Sequence, residues 1–148
     1  MDVVRNAYSS APNPERIKAL LVTNPHNPIG SSYTPSVLRD LMGFCEDKKL
    51  HYISDEVYAM SAFGGLCDDH FTSALALVSD EDTSPMDPRR LHVIYSMSKD
   101  FGCAGIRMGS NLNPFTRFSL LSIETQHQFH NTNNPQGMFS LPTKPTGT

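Results

Sequence analysis

The sequence predicts an α/β fold in which a mostly parallel sheet is flanked by helices and followed by an irregular C-terminal tail. Three observations carry that expectation. Short apolar runs within residues 16–23, 51–58 and 91–95 each lead into polar residues, the pattern of buried strands that end at a polar rim. A capped amphipathic segment separates the first two runs, and strand, helix, strand over this distance implies a right-handed crossover and parallel pairing. Beyond Asn111 the apolar pattern stops.

Each element has a local reason. Val3 to Ser10 reads as the end of a helix, as if the chain began in mid-fold, and Arg16 to Thr23, bounded by Pro14 and Asn24-Pro25, reads as a buried strand. In Asn24-Pro25-His26-Asn27-Pro28-Ile29-Gly30 two X-Pro steps favour extended backbone and Gly30 permits a turn, giving a rigid polar loop at a strand end. Thr34 then offers an N-cap with Pro35 behind it. Val37, Leu38, Leu41, Met42, Phe44 and Cys45 mark an apolar helical face as far as Lys48-Lys49, where cations suit a helix C-terminus. His51 to Tyr58 forms the next strand, abruptly acidic at its end. Residues 59–66 read as loop and Thr72 to Val78 as a short helix. Ser79 to Pro88 reads as an acidic, proline-bearing surface loop. The third strand, Leu91 to Tyr95, runs straight into Ser96 and Lys99, and Ile106-Arg107-Met108-Gly109 begins a fourth. Residues 111–148, with only a weak apolar stretch at Phe115 to Ile123, are too polar and breaker-rich to offset the entropy of ordering them, and are expected to be irregular or disordered.

Bulk properties narrow the function classes. At 148 residues, 39% hydrophobic and 18% charged, the composition is that of one ordinary globular domain. A net charge of −3 leaves no basic footprint for nucleic acid and no polybasic patch for a membrane surface. No apolar run approaches a membrane span, and the first residues lack the charged and apolar regions of a signal peptide, so a cytoplasmic location is expected. Three cysteines at unhelpful spacings indicate neither a disulfide framework nor a metal knuckle. Cys67-Asp68-Asp69-His70 and His127-Gln128-Phe129-His130 each lack a second ligand pair, and no metal is expected.

Function in such a sheet belongs at the strands' carboxyl ends, where three polar motifs gather. Together they suit an electrophilic aromatic aldehyde with a phosphate arm. Lys99 would supply the amine that attacks the aldehyde, its pKa lowered by burial and neighbouring cations. A carboxylate, Asp55, would pair with a protonated ring nitrogen and make the ring a better electron sink. Asn27 and Tyr58 would donate to the phenolic oxygen, and Ser96 with Arg107 would hold the phosphate. Singly, each has a bland counterpart: Asp55-Glu56 a solvated strand end, Asn24-Pro25 a turn, Lys99 a surface cation. Their joint order on successive strand ends is what sets them apart.

Through Asn24-Pro25-His26-Asn27-Pro28-Ile29-Gly30, Ser54-Asp55-Glu56-Val57-Tyr58 and Ser96-Met97-Ser98-Lys99 followed by Arg107, the chain resembles the central part of the large domain of fold-type-I pyridoxal-phosphate enzymes, the class I/II aminotransferases. Tyr95 to Gly102 and Thr23 to Pro28 are most similar to the 1-aminocyclopropane-1-carboxylate synthase-like branch. The resemblance covers about Arg16 to Gly109, so residues 1–110 read as a partial cofactor-binding large domain and 111–148 as the tail. It implies pyridoxal 5'-phosphate as cofactor, a Lys99 Schiff base, an amino-acid substrate and a homodimer. It also implies a lysine that shuttles the substrate's α-proton, in transamination or in lyase chemistry.

Two other readings stand beside it. A non-catalytic phosphate-binding module would use Ser96, the turn around Gly102 and Gly105, and Arg107, yet neither a Gly-x-x-x-x-Gly-Lys nor a Gly-x-Gly-x-x-Gly loop is present. The stronger rival is a truncated, catalytically inactive fragment retaining at most cofactor binding or protein interaction. Its sheet would lack edge neighbours and expose hydrophobic strand surface.

Overall fold

A computed structural model of the chain describes residues 1–62, 71–79, 82–106, 108–114 and 119–122. Helix α1 spans Asp2–Ser9, β1 Ala19–Thr23, α2 Pro35–Lys48, β2 His51–Asp55, α3 Ala74–Val78, β3 Leu91–Ser96, α4 Met97–Asp100, β4 Met108–Leu112 and β5 Ser119–Ser122. Short 3-10 turns lie at Pro14–Arg16, Ala59–Ser61, Pro88–Arg90 and Ala104–Ile106.

The strands form one sheet in sequence order. β1, β2 and β3 are parallel, with Thr23 opposite Asp55 and Asp55 opposite Ile94. β4 is antiparallel to β3 and β5 to β4, so four of the five strands run in one direction. The connection from Ser96 to Met108 holds only single turns of helix, and so reverses the chain where a parallel return would need a longer crossover.

α2 forms where its caps place it. Thr34 Oγ1 accepts the Val37 N–H, and Pro35 takes the first helical position. The other end closes through Leu50 N to Cys45 O at 2.8 Å and Lys49 N to Glu46 O at 3.2 Å, with Lys49 left-handed at φ 56°. Leu38, Leu41, Met42, Phe44 and Cys45 are buried, whereas Val37, expected on that face, is 39% exposed because it sits in the capping turn. α2 packs with Ala74, Leu77 and Val78 of α3 against Val22, Tyr52, Leu91 and Val93 of the sheet. Tyr8 of α1 adds an edge-to-face contact with Phe44 at 5.6 Å.

Strand alternation sorts the site from this core. Tyr52, Ser54 and Glu56 are buried, while Ile53 and Asp55 are only half-buried. β1 is the sheet's edge, and its expected burial holds for one face only: Val22 is buried, Leu21 58% exposed.

β4 continues through Leu112, across the 110/111 boundary, and β5 falls in the segment expected to be irregular. β5 lies within the weak apolar stretch Phe115 to Ile123, and pairing with β4 makes it a strand. Residues 123–148 lie outside the described residues, as do Arg107, Cys67-Asp68-Asp69-His70 and the His127 to His130 stretch.

Candidate active site

The loop after β1 is anchored by a buried asparagine. Asn24 is fully buried; its backbone N–H donates to Asp55 O at 2.9 Å, its Oδ1 accepts the Tyr33 N–H at 3.0 Å, and its Nδ2 donates to Thr72 O at 3.4 Å. A turn closes the loop, Gly30 N to His26 O at 2.7 Å, with Gly30 at φ +77°, where its lack of a Cβ removes the steric cost. Both Asn24-Pro25 and Asn27-Pro28 are cis. This frame presents Asn27 to solvent at the strand end.

Asp55 terminates β2. Its Oδ1 accepts the Val57 N–H at 3.3 Å, a local Asx turn that turns the chain toward Tyr58. Glu56, next in sequence, points to the opposite face. There its Oε1 accepts from Ser54 Oγ at 2.9 Å and from Ala74 N at 2.8 Å. Burial pushes the Glu56 carboxyl above the usual carboxylate range, against the pull of these hydrogen bonds. The loop Asp55–Tyr58 is thus seated on the start of α3, the end at which helix N–H groups lack intrahelical partners.

β3 delivers Ser96 and then Lys99. Ser96 Oγ accepts the Ser98 N–H as N-cap of α4, and lies 2.9 Å from Ser98 Oγ and 3.0 Å from Met108 O. Lys99 is one turn on, exposed, with Nζ 5.5 Å from the centre of the Tyr58 ring. Lys99 is thus exposed among the described residues, where burial is expected from the sequence.

Three of the expected residues therefore converge. Asn27 Nδ2 lies 3.4 Å from Tyr58 OH, and Tyr58 in turn faces Lys99. Pro25, His26, Asn27, Pro28, Gly30, Tyr58, Ser61 and Ala62 line a cleft of about 180 Å³ beside them. His26 Nδ1 is buried with no hydrogen-bond partner among the described residues, and His26 borders that cleft. Asp55 shares the rim as the strand end opposite Ile94. Ser96 stands at the neighbouring strand end with its hydroxyl engaged inside the chain. Arg107 is outside the described residues.

Residue-type reasoning passed over Asn24 and Glu56, although both flank motif residues. For Glu56 alternation was the available signal, since a polar side chain immediately after Asp55 on a strand end points to the other face.

The family model "Aminotransferase class I and II" matches residues 1–113. The probable aminotransferase sirI of Leptosphaeria maculans is 49% identical over 100 residues, which are 68% of this chain and 24% of that protein. 1-Aminocyclopropane-1-carboxylate synthase 7 of Arabidopsis thaliana is 34% identical over 137 residues, 85% of this chain and 30% of that one. Among solved structures, a double mutant of Thermus thermophilus aspartate aminotransferase superposes with a TM-score of 0.57 at 28% identity, over 76% of this chain and 25% of that one. The chain thus spans about a quarter to a third of the length of these relatives.

Proposed function

The chain belongs to the class I and II aminotransferase family, whose members depend on pyridoxal phosphate, and on that premise we propose that it binds this cofactor at the carboxyl ends of β1, β2 and β3 and serves an amino-acid transformation. The observation that carries the reading is the convergence of Asn27, Tyr58 and Lys99 from three separate strand ends. Elementary packing gives no reason to gather an amide, a phenol and an amine there.

The donor set fits the group. Asn27 Nδ2 and Tyr58 OH are close enough to donate to a single phenolic oxygen, and His26 Nδ1 is a further buried polar atom on the same cleft. Asp55, its carboxylate turned by the Val57 N–H, would hold a proton on the ring nitrogen. Ser96 and Arg107 would take the phosphate, with Ser96 giving up its contact to Met108 O to do so. Lys99, beside the Tyr58 ring, would supply the amine that holds the cofactor and would be the base for the substrate's α-proton. When bound, the cofactor supplies the electron sink that this chain's side chains lack. Relatives include a probable aminotransferase and a 1-aminocyclopropane-1-carboxylate synthase, so transamination and lyase chemistry both remain within the reading. The amino-acid substrate and a homodimeric assembly are part of the same proposal.

The test is a visible absorption spectrum of the purified chain mixed with pyridoxal phosphate. A new band is expected that is absent in Lys99→Ala, and borohydride reduction followed by peptide mapping should fix the added mass on Lys99. An unchanged spectrum in demonstrably folded chain overturns the proposal. Adding amino acids to the loaded chain then separates binding from turnover.

A further inference from the structure

Asp100 follows Lys99, closes α4, and has its carboxylate held from two directions. Tyr95 of β3 donates its hydroxyl to Asp100 Oδ2 at 2.6 Å, and Ser61, in the 3-10 turn that follows Tyr58, donates to Oδ1 at 3.3 Å. The first is a short, charge-assisted bond; it also raises the Tyr95 pKa. The second is longer, and it links α4 to the turn Ala59–Ser61 through side chains.

α4 needs such a link. It has four residues, a single turn that has little stability of its own. The Ser96 cap fixes its beginning, and Asp100 fixes its end. Tyr58 lies three residues before Ser61 and Lys99 one residue before Asp100, so the Ser61–Asp100 bond closes a small ring whose other side is the 5.5 Å approach of Lys99 Nζ to the Tyr58 aromatic ring.

We propose that Asp100 is a positioning residue: by tying α4 both to β3 and to the Tyr58-bearing turn, it sets where the Lys99 amine stands relative to Tyr58. The bearing of this on chemistry rests on reading Lys99 as the cofactor lysine, whereas the tie itself does not. What it requires at position 100 is two polar contacts, not a charge. Asparagine satisfies that requirement, with Oδ1 accepting from Tyr95 and Nδ2 donating to the Ser61 hydroxyl.

The experiment uses the full chain without cofactor. NMR follows the Lys99 ε-methylene, which the Tyr58 ring shifts, with Tyr58→Leu marking the unshifted position. Hydrogen exchange follows the amides of residues 59–62. In Asp100→Ala the Lys99 resonance should move to its position in Tyr58→Leu, and exchange at 59–62 should quicken about tenfold, the equivalent of roughly 1.4 kcal/mol of lost local protection. Asp100→Asn should restore both. A wild-type resonance or wild-type exchange in Asp100→Ala, with α2 amides still protected, overturns the proposal. Should that variant lose α2 protection, Ser61→Ala carries the same two readouts with the same expected directions.

Because neither readout involves pyridoxal phosphate, a missing Lys99-dependent band removes the proposed function and leaves this tie standing. Where the band forms, Asp100→Ala should raise the cofactor concentration for half-maximal amplitude about tenfold. An unchanged value overturns the positioning role.

Discussion

Asp55 and Glu56 are adjacent in sequence and opposite in environment. Asp55 faces the half-open rim of the sheet, where a carboxylate is solvated, while Glu56 is 4% exposed and gathers Ser54 Oγ and Ala74 N onto Oε1. Removing Glu56 leaves two buried donors unsatisfied, so Glu56→Ala should destabilise the fold by about 2 kcal/mol in denaturant titration. Glu56→Gln keeps an acceptor of the same shape and should cost far less. The pH dependence follows from the direction of the shift. The folded chain holds the Glu56 proton more tightly than the unfolded chain, so stability from this group declines as pH rises above about 4.5, the ordinary glutamate value. The stability of Glu56→Gln relative to wild type should therefore rise from pH 4.5 to pH 7. Tyr58 gives a residue-scale prediction on binding. Tyr58→Phe removes one donor at the phenolic position and should weaken pyridoxal phosphate about fivefold, near 1 kcal/mol, in spectroscopic titration. The motif residues were legible because each is a polar type at an abrupt strand end. The exposure of Lys99 was not, since the neighbours that bury or uncover a side chain come from distant segments.

At the scale of elements, α2 shows how far local signals reach. Thr34, Pro35 and the apolar stripe define it from sequence, and the structure reproduces both ends. The left-handed residue at its C-terminus is lysine, where glycine would bear no steric cost. Lys49→Gly should stabilise the fold by about 0.5–1 kcal/mol by thermal melting, less the small worth of the exposed Lys49–Glu46 ion pair at 2.6 Å. Glu46 has a larger part. It accepts the Asp87 N–H at 2.8 Å and pairs with Arg90, fastening α2 to the approach to β3. The Lys49 and Asp87 hydrogen bonds lower its pKa to about 2 from an ordinary value of 4.5. A depressed carboxylate stabilises above its unfolded pKa, so this contribution should be lost as pH falls from about 4.5 to about 2. Glu46→Gln should flatten that part of the acid unfolding curve, checked by circular dichroism against pH. None of this was visible in the sequence, where Ser79 to Pro88 read only as an acidic loop. The Asp87 N–H to Glu46 hydrogen bond and the Arg90–Glu46 ion pair each join residues more than forty positions apart.

At the scale of the molecule, the described residues cover the two faces of the sheet unequally. α1, α2 and α3 pack on one side, and on the other Leu21 of the edge strand β1 is 58% exposed. An exposed edge with apolar side chains invites strand pairing between copies. Leu21→Lys should reduce concentration-dependent light scattering of the chain while leaving its unfolding free energy within about 0.5 kcal/mol of wild type, since little burial is lost. The order of polar motifs along the chain pointed to the fold family and named the candidate residues, because hydrophobic periodicity and strand-end chemistry are local properties read within a few residues. Which face each side chain meets, that β4 and β5 reverse the sheet, and that Asn27, Tyr58 and Lys99 converge while Asn24, Glu56 and Asp100 brace them were decided only in three dimensions. Those are contacts between segments, and a chain states its contacts only once it has folded.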